Sequence, residues 1–214
     1  MKQYKSIKYM AFIGIFGSWA ALAHPVSYKG ATTLMSWNQP FLSDTWLVYS
    51  ASPKYAFAAR TMRMQMKDGQ DSYLYMPQFD FLVKRWNETD LQANIYIYGG
   101  YGGLRANGKT GTAGLGGFEI DAEDRKYYAS LKYESMSASL GEDIQQTVAR
   151  VGIAPYEAEY NELASWFMLQ AQYHPKLSRE FALTPLARFF YKSALLEAGS
   201  SFKGDWMLNL MFHF

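Results

Sequence analysis

Apolar and polar residues alternate along most of this chain, in segments of about ten residues separated by turn residues. Alternation with a period of two is typical of a β-strand with one apolar face, because successive side chains of a strand point to opposite sides. No long segment shows the period of 3.6 residues that predicts an amphipathic helix. The pattern therefore predicts an all-β, antiparallel fold.

Twelve segments fit this pattern, and the turns between them are rich in glycine, proline, asparagine and aspartate. The predicted strands are residues 27–37, 44–51, 55–66, 72–84, 91–101, 115–122, 126–137, 144–154, 163–173, 179–190, 194–202 and 205–214. Residues 102–114 are rich in glycine and threonine and are predicted to form a loop. Residues 115–122 and 194–202 fit less well than the others, so ten strands remain an alternative.

The first residues have the three parts of a secretory signal peptide. Residues 1–8 carry three lysines and no acid, residues 9–23 are apolar, and the Ala-Leu-Ala of residues 21–23 fits the small-x-small cleavage pattern. We predict that residues 1–23 are a signal peptide and that residues 24–214 form the mature domain. The alternative is an uncleaved inner-membrane anchor, but the apolar run is shorter than the roughly 20 residues that a spanning helix needs.

The last predicted strand ends on an aromatic residue. Its apolar positions, at every second residue, are Trp206, Leu208, Leu210, Phe212 and Phe214. This ending resembles the C-terminal assembly signal of Gram-negative outer-membrane β-barrel proteins, and the export signal fits the same class. The resemblance implies a transmembrane β-barrel in the cell outer membrane, in contact with outer-membrane lipid and with the barrel assembly machinery as a partner. An even number of strands places both ends of the barrel domain on the periplasmic side.

Composition supports this class and excludes others. Aromatic residues make up 17% of the chain, yet the mean hydropathy is −0.22. A barrel with an apolar outer belt, aromatic girdles and a polar interior has this balance, and a soluble aromatic-rich β-sandwich is the alternative. The absence of cysteine excludes thiolate metal sites. Without the lysines of residues 1–8 the net charge of +2 becomes about −1, which leaves no basic patch for nucleic acid.

Alternation also predicts which polar side chains face the lumen. Arg60 is assigned inwards and Arg63 to the rim, because a charge on the lipid face costs about 2–4 kcal/mol at the midplane and about 0–1 kcal/mol near the interface. Pro77 and Pro185 fall on outward positions and predict local bulges. The predicted lumen and solute-binding residues are Arg60, Asp80, Lys84, Tyr96, Lys132, Glu134, Arg150 and Arg188, with Glu119, Asp121, Lys126 and Glu197 on the same face.

Methionines share this inward face. The eight so assigned are Met62, Met64, Met66, Met76, Met136, Met168, Met207 and Met211. Thioethers bind Cu(I), and a terminal amine beside an imidazole chelates Cu(II). A candidate site for copper or another soft metal therefore consists of Met62, Met64, Met66, Met211, His213 and His24, the last being the predicted mature N-terminus. The other interpretation is packing, because methionine fills irregular interiors.

Three functions are consistent with these features. A small-solute channel or binding barrel, with copper as its most specific cargo, predicts an open path lined by methionines. A structural or scaffold barrel with partner-binding loops predicts a path blocked by salt bridges of Arg60 or Arg188. A membrane-embedded hydrolase requires a serine within hydrogen-bond reach of His174, with Ser178 and Glu180 nearest in sequence. We predict a non-enzymatic barrel.

Overall fold

A computed structural model describes residues 25–140, 143–159 and 161–214. The predicted signal peptide, residues 1–23, and the predicted metal ligand His24 lie outside the described residues. No helix in the described ranges is long and apolar enough to cross a membrane.

The chain forms a closed antiparallel barrel of twelve strands, in which each strand pairs with its neighbours in sequence and β1 pairs with β12. The predicted fold class is confirmed, and the ten-strand alternative is wrong. The strands are β1 (Thr32–Gln39), β2 (Leu42–Tyr49), β3 (Tyr55–Gln65), β4 (Asp71–Asn87), β5 (Gln92–Ala106), β6 (Lys109–Glu123), β7 (Tyr127–Ala138), β8 (Ile144–Ile153), β9 (Ala164–Tyr173), β10 (Phe181–Tyr191), β11 (Ala194–Ser200) and β12 (Trp206–His213).

The predicted loop at residues 102–114 is wrong. These residues extend β5 and β6, whose pairing continues to Ala106 and Lys109. Only Asn107 and Gly108 form the turn, with φ of 52° and 71°, which is the two-residue hairpin geometry that favours Asn-Gly. Close packing requires glycine at position 102, since a Cβ there would lie 2.1 Å from the Tyr75 carbonyl oxygen.

Two other local predictions are also corrected. Residues 27–31 bend and turn before β1 instead of forming its first half, and Gly30 has a φ of 88°. Neither proline produces a register shift. The shift in β4 lies between Leu82 and Lys84, and Pro185 pairs with Leu169 within a continuous register.

Alternation of inward and outward side chains separates the two faces of the barrel wall. Every strand contributes at least one large apolar side chain to the exposed outer face, for example Leu34, Leu47, Phe57, Phe79, Ile97, Ile120, Leu131, Val151, Phe167, Phe181, Leu196 and Leu208. An apolar band that surrounds a closed antiparallel barrel is the lipid-facing surface of an outer-membrane protein. The chain is therefore a transmembrane barrel, as predicted, and its location is the outer membrane.

At each end of the barrel, residues that lie outside the strands are buried. At the terminus end, where residues 31 and 214 lie, Pro25 and Val26 are buried and the Ser27 amide donates to Ser50 Oγ at 3.0 Å. At the opposite end, residues 174–180 between β9 and β10 form what we call the cap loop. This loop reaches β3, the sixth strand from β9 in either direction around the barrel.

Candidate functional site

The lumen is the candidate site, because it collects the buried charges. The structure places seven of the eight predicted solute-binding residues on the inward face. Lys84 is the exception and its assignment is wrong. The register shift in β4 turns Lys84 outwards, where it is exposed and its Nζ lies 5.6 Å from the Trp86 ring. Lys126 is also misplaced, since it is exposed in the turn before β7.

Arg85 takes the inward position that Lys84 was predicted to hold. Its guanidinium donates to Asn94 Oδ1 at 2.6 Å and to the Tyr96 hydroxyl at 2.9 Å. Asn94 in turn donates to Asp121 Oδ1 at 2.7 Å. Tyr96 therefore lies in the lumen as predicted, but in contact with a residue that the sequence pattern missed because a bulge moves every later side chain of its strand to the other face.

Arg60 is the centre of the first ionic cluster. Its Nη2 lies 2.6 Å from Asp44 Oδ2, and its Nη1 lies 2.9 Å from Glu134 Oε1. The guanidinium also lies over the Trp46 ring, 4.3 Å from the centroid. Because β3 and β7 are not neighbours in the wall, the bond to Glu134 crosses the lumen. A guanidinium that is fully buried in this way is held by charge-assisted bonds in several directions.

Lys132 and Gln146 complete this cluster around Glu134. Lys132 Nζ lies 3.0 Å from Glu134 Oε1 and 4.6 Å from the centroid of the Trp46 ring. Gln146 Nε2 donates to the other Glu134 oxygen. Asp80 is buried near by and accepts a 2.7 Å bond from Gln78, which also accepts from Arg60. The cluster thus fills the lumen between β2, β3, β4, β7 and β8.

A second ionic cluster surrounds Glu197 on β11. Arg188 Nε lies 2.7 Å from Glu197 Oε1, and Arg150 Nη1 lies 3.3 Å from Oε2. Asn209 Nδ2 donates to the same carboxylate at 2.7 Å. Arg188 also lies over the Tyr128 ring, 4.5 Å from the centroid. These contacts join β7, β8, β10, β11 and β12 through the interior.

A chain of amides lies towards the cap end. The Gln39 and Gln172 side chains donate to each other, at 3.1 Å and 2.5 Å, and Gln170 donates to Gln172 at 2.5 Å. Gln39 lies on β1 and Gln172 on β9, so this pair also crosses the lumen. The sequence pattern gave no reason to select these glutamines, because their pairing depends on the closed barrel.

All nine methionines of the described part lie on the inward side of the wall, and Met35 joins the eight that were assigned there. They do not gather into one group of ligands. Met62 and Met64 pack in an apolar cluster with Phe41, Leu74 and Leu177, while Met66 is partly buried at its edge. Met211 pairs with Met35, and Trp46, Arg60 and Met76 continue that row on β2, β3 and β4.

His213 does not join a methionine site through its Nδ1. That nitrogen lies 2.8 Å from Thr33 Oγ1 at the terminus end. No group of three or more His, Asp or Glu side chains suited to a metal ion occurs among the described residues. Met62 and Met64 lie on β3 and Met66 directly after it, whereas Met211 and His213 lie on β12. Copper binding at these residues stays a prediction.

The cap loop is fastened to the end of β3 and the residues after it. Leu177 forms a bridge with Met66 and is 1% exposed. The Ser178 amide donates to the Gln65 carbonyl at 2.9 Å. Outside, Lys67 Nζ lies 2.9 Å from Glu180 Oε2; this bond lowers the pKa of the Glu180 carboxyl. The loop therefore spans the mouth from one wall to the other.

His174 begins the cap loop and is fully buried. Its ring packs edge-on against Phe41, with centroids 6.0 Å apart, and neither ring nitrogen has a hydrogen-bond partner in the described ranges. Burial lowers the pKa of His174 to about 4. Ser178 Oγ donates to Gln65 Oε1 instead of His174, so the serine–histidine pair of a hydrolase is not formed there.

Two cavities lie within the described part of the barrel. A cavity of about 80 Å³ is bordered by residues of both ends and of both ionic clusters, among them Pro25, Trp37, Glu119, Lys132, Arg150 and His174. Such a cavity holds several waters. A separate vestibule of about 300 Å³, which includes Met66, Lys67 and Lys176 in its lining, lies at the cap end. The two cavities share no lining residue.

Comparisons with known proteins find similar solved structures. No protein-family model and no curated protein matches the chain. The KdgM porin in complex with disordered oligogalacturonate is similar over 86% of this chain and 99% of its own, with a TM-score of 0.49 and 7% identity. The translocator domain of the autotransporter NalP from Neisseria meningitidis is similar over 86% and 84%, with a TM-score of 0.38 and 9% identity. OmpT, an outer membrane protein of Vibrio cholerae, has a TM-score of 0.30 and 7% identity over 86% and 96%.

Proposed function

We propose that this chain is a gated small-solute barrel of the outer membrane, shut in the conformation described here. The observation that carries the proposal is the cap loop. It closes the mouth over a polar lumen, yet its contacts with β3 are the buried side chain of Leu177, a few backbone bonds and exposed polar contacts, while the buried ring of His174 packs against Phe41. A closure of this kind opens at lower cost than the barrel itself unfolds, because loops occupy the low-stability end of a fold.

The lumen beneath the cap supports binding or passage of a polar solute. Aromatic faces, amides and charges of both signs line the remaining cavity, for example Trp37, Gln170 and Lys132. A wall of this composition bonds to a polar solute that replaces the waters. As a more specific proposal, the bound solute is copper or another soft metal, held by Met62, Met64 and Met66. We also propose that the mature chain is exported and then inserted into the outer membrane by the barrel assembly machinery.

A structural barrel with a permanently closed lumen is the second candidate. The two ionic clusters favour it, because bonds such as Arg60 to Glu134 tie opposite walls together. The hairpin turns at the cap end argue against large partner-binding loops, since the turn between β5 and β6 has only Asn107 and Gly108. The two candidates differ in one property: only the first allows the lumen to open.

The test is ion conductance of the refolded mature chain in planar lipid bilayers. We compare the natural sequence with Leu177→Ser, which removes the buried apolar anchor of the cap loop. Phe202→Ser is the matched control, because Phe202 is 74% exposed in the turn between β11 and β12 at the same end. We expect rare openings for the natural sequence and for Phe202→Ser, and frequent openings for Leu177→Ser. No conductance from any of the three would favour the structural barrel.

A further inference from the structure

The charges that face the lumen do not balance. Among the described strands, the buried or half-buried inward acids are Asp44, Asp80, Glu119, Asp121, Glu123, Glu134 and Glu197, and the inward bases are Arg60, Arg85, Lys132, Arg150 and Arg188. Seven acids therefore face five bases. An excess of one sign inside a low-dielectric wall attracts mobile ions of the opposite sign.

Most of the basic groups are already committed to three of the acids. Arg60 binds Asp44 and Glu134, and Lys132 binds Glu134. Arg150 and Arg188 both bind Glu197. The remaining base, Arg85, donates to a neutral amide and a hydroxyl.

The four other acids lie on one wall of the barrel. Asp80 is on β4, and Glu119, Asp121 and Glu123 alternate along β6. Asp80 and Asp121 each accept a bond from a buried amide, Gln78 or Asn94. Among the seven acids of the described strands, Glu119 alone combines three properties. Its side chain is half-buried instead of fully buried, it borders the cavity, and it belongs to neither ionic cluster.

Glu119 lacks a close ionic partner among the described residues. Lys132 is its neighbour in register on β7. The Lys132 ammonium is nevertheless turned towards Glu134, at 3.0 Å, and towards the faces of Trp46 and Tyr98. Glu119 is therefore an acid at the cavity wall that no salt bridge of the described residues engages.

We infer that the open lumen selects small cations over anions and that Glu119 is the residue that determines this selectivity. The inference rests on the proposed function, since an ion must be able to pass. The chemistry of the site suits an ammonium or an inorganic cation that a single carboxylate attracts, and the excess of acids on β4 and β6 extends the same field along the wall.

The test measures the reversal potential of Leu177→Ser barrels in a planar bilayer that separates two KCl concentrations. The same measurement is made on Leu177→Ser/Glu119→Gln, which keeps the shape of the side chain and removes its charge. Leu177→Ser/Glu88→Gln is the matched control, because Glu88 is exposed in the turn between β4 and β5. Migration of the unheated folded form on SDS gels shows that all three variants have folded.

For Leu177→Ser we expect a reversal potential that shows a preference for K⁺ over Cl⁻. In the Glu119→Gln variant the ratio of K⁺ to Cl⁻ permeability should be lower by roughly threefold or more, and in the Glu88→Gln control it should not change. Conductance with no cation preference, or with a preference that Glu119→Gln leaves intact, would overturn the inference and leave the proposed function standing. Absence of conductance in all folded variants would overturn both.

Discussion

Arg60 and Glu134 meet across the lumen, with Nη1 of the arginine 2.9 Å from Oε1 of the glutamate. They are 74 residues apart in sequence and lie on strands that do not pair. Their side chains are 0% and 2% exposed. The pair, with Asp44 and Lys132 around it, is therefore a buried brace between two walls.

Removal of Arg60 should weaken the barrel strongly. Arg60→Met leaves Asp44 and Glu134 buried with fewer counter-charges, and the loss of one partner of such a pair costs about 3–5 kcal/mol. The free energy of unfolding in urea, measured with the barrel in detergent micelles, checks this. Arg63→Met is the control, since Arg63 is half-buried on the rim with Asp71, where an ion pair is worth about 0–1 kcal/mol. Equal midpoints for the two variants would contradict the prediction.

Acidification should loosen the cap loop through His174. The buried ring has a pKa of about 4 against an ordinary value of 6.5, so the released loop binds a proton between those values and the closed loop does not. Closure is therefore fully stable above pH about 6.5 and loses up to about 3 kcal/mol as the pH falls to about 4. Burial is the main cause of the lowered pKa; the charge of Glu134 opposes it, and the charge of Lys132 adds to it.

The measurement for His174 is the open probability in bilayers at pH 7 and pH 4.5. We expect more frequent openings at the lower pH for the natural sequence, and no such increase for His174→Leu. His213→Gln is the control, because His213 lies at the terminus end and bonds to Thr33. An increase that persists in His174→Leu would assign the effect to another group.

Glycine at position 102 should be indispensable, whereas glycine at 103 should not. A Cβ at Gly102 would lie 2.1 Å from a backbone oxygen, which cannot move without opening the pairing of β4 and β5. At Gly103 a Cβ meets nothing within 4 Å. We expect Gly102→Ala to destabilise the barrel by about 1–3 kcal/mol or more, and Gly103→Ala to have little effect. The folded fraction on unheated SDS gels distinguishes the two variants, and equal fractions would show that the wall accommodates the methyl group.

Methionines 62, 64 and 66 should be replaceable as packing residues. The triple substitution to leucine conserves volume in an apolar surrounding, so we expect each change to cost less than about 1.5 kcal/mol. The same variant tests the copper prediction. Cu(I) titration under reducing conditions that shows tight binding by the natural sequence and none by the variant would establish the stripe as a site. Equal Cu(I) binding by the natural sequence and the variant, or no binding by either, would exclude a copper site at these three methionines.

The strands could be predicted because alternation is a local property of the sequence. The inward direction of Arg60 and Glu134 follows from the same period of two. Their contact with each other does not, because it depends on how twelve strands close. The amide pair of Gln39 and Gln172 was missed for the same reason.

Two kinds of error have simple physical causes. A single extra residue at Val83 shifts the register of β4, so that Lys84 points outwards and Arg85 points into the lumen. The glycines of residues 99–117 carry no side chain that alternates, so the paired ends of β5 and β6 had no signal. At Gly100, Gly102 and Gly117 the reason for glycine is the backbone of the neighbouring strand, which lies too close for a Cβ.

The cap loop also limits the width of the barrel at its own end. It begins at β9, and its bridge from Leu177 to Met66 lies at the end of β3, half-way around the wall, so the loop itself crosses the barrel. The cross-section of the barrel at this end cannot widen in that direction while the bridge is intact. A change in the bilayer that widened this end of the barrel would therefore pull on the bridge between Leu177 and Met66.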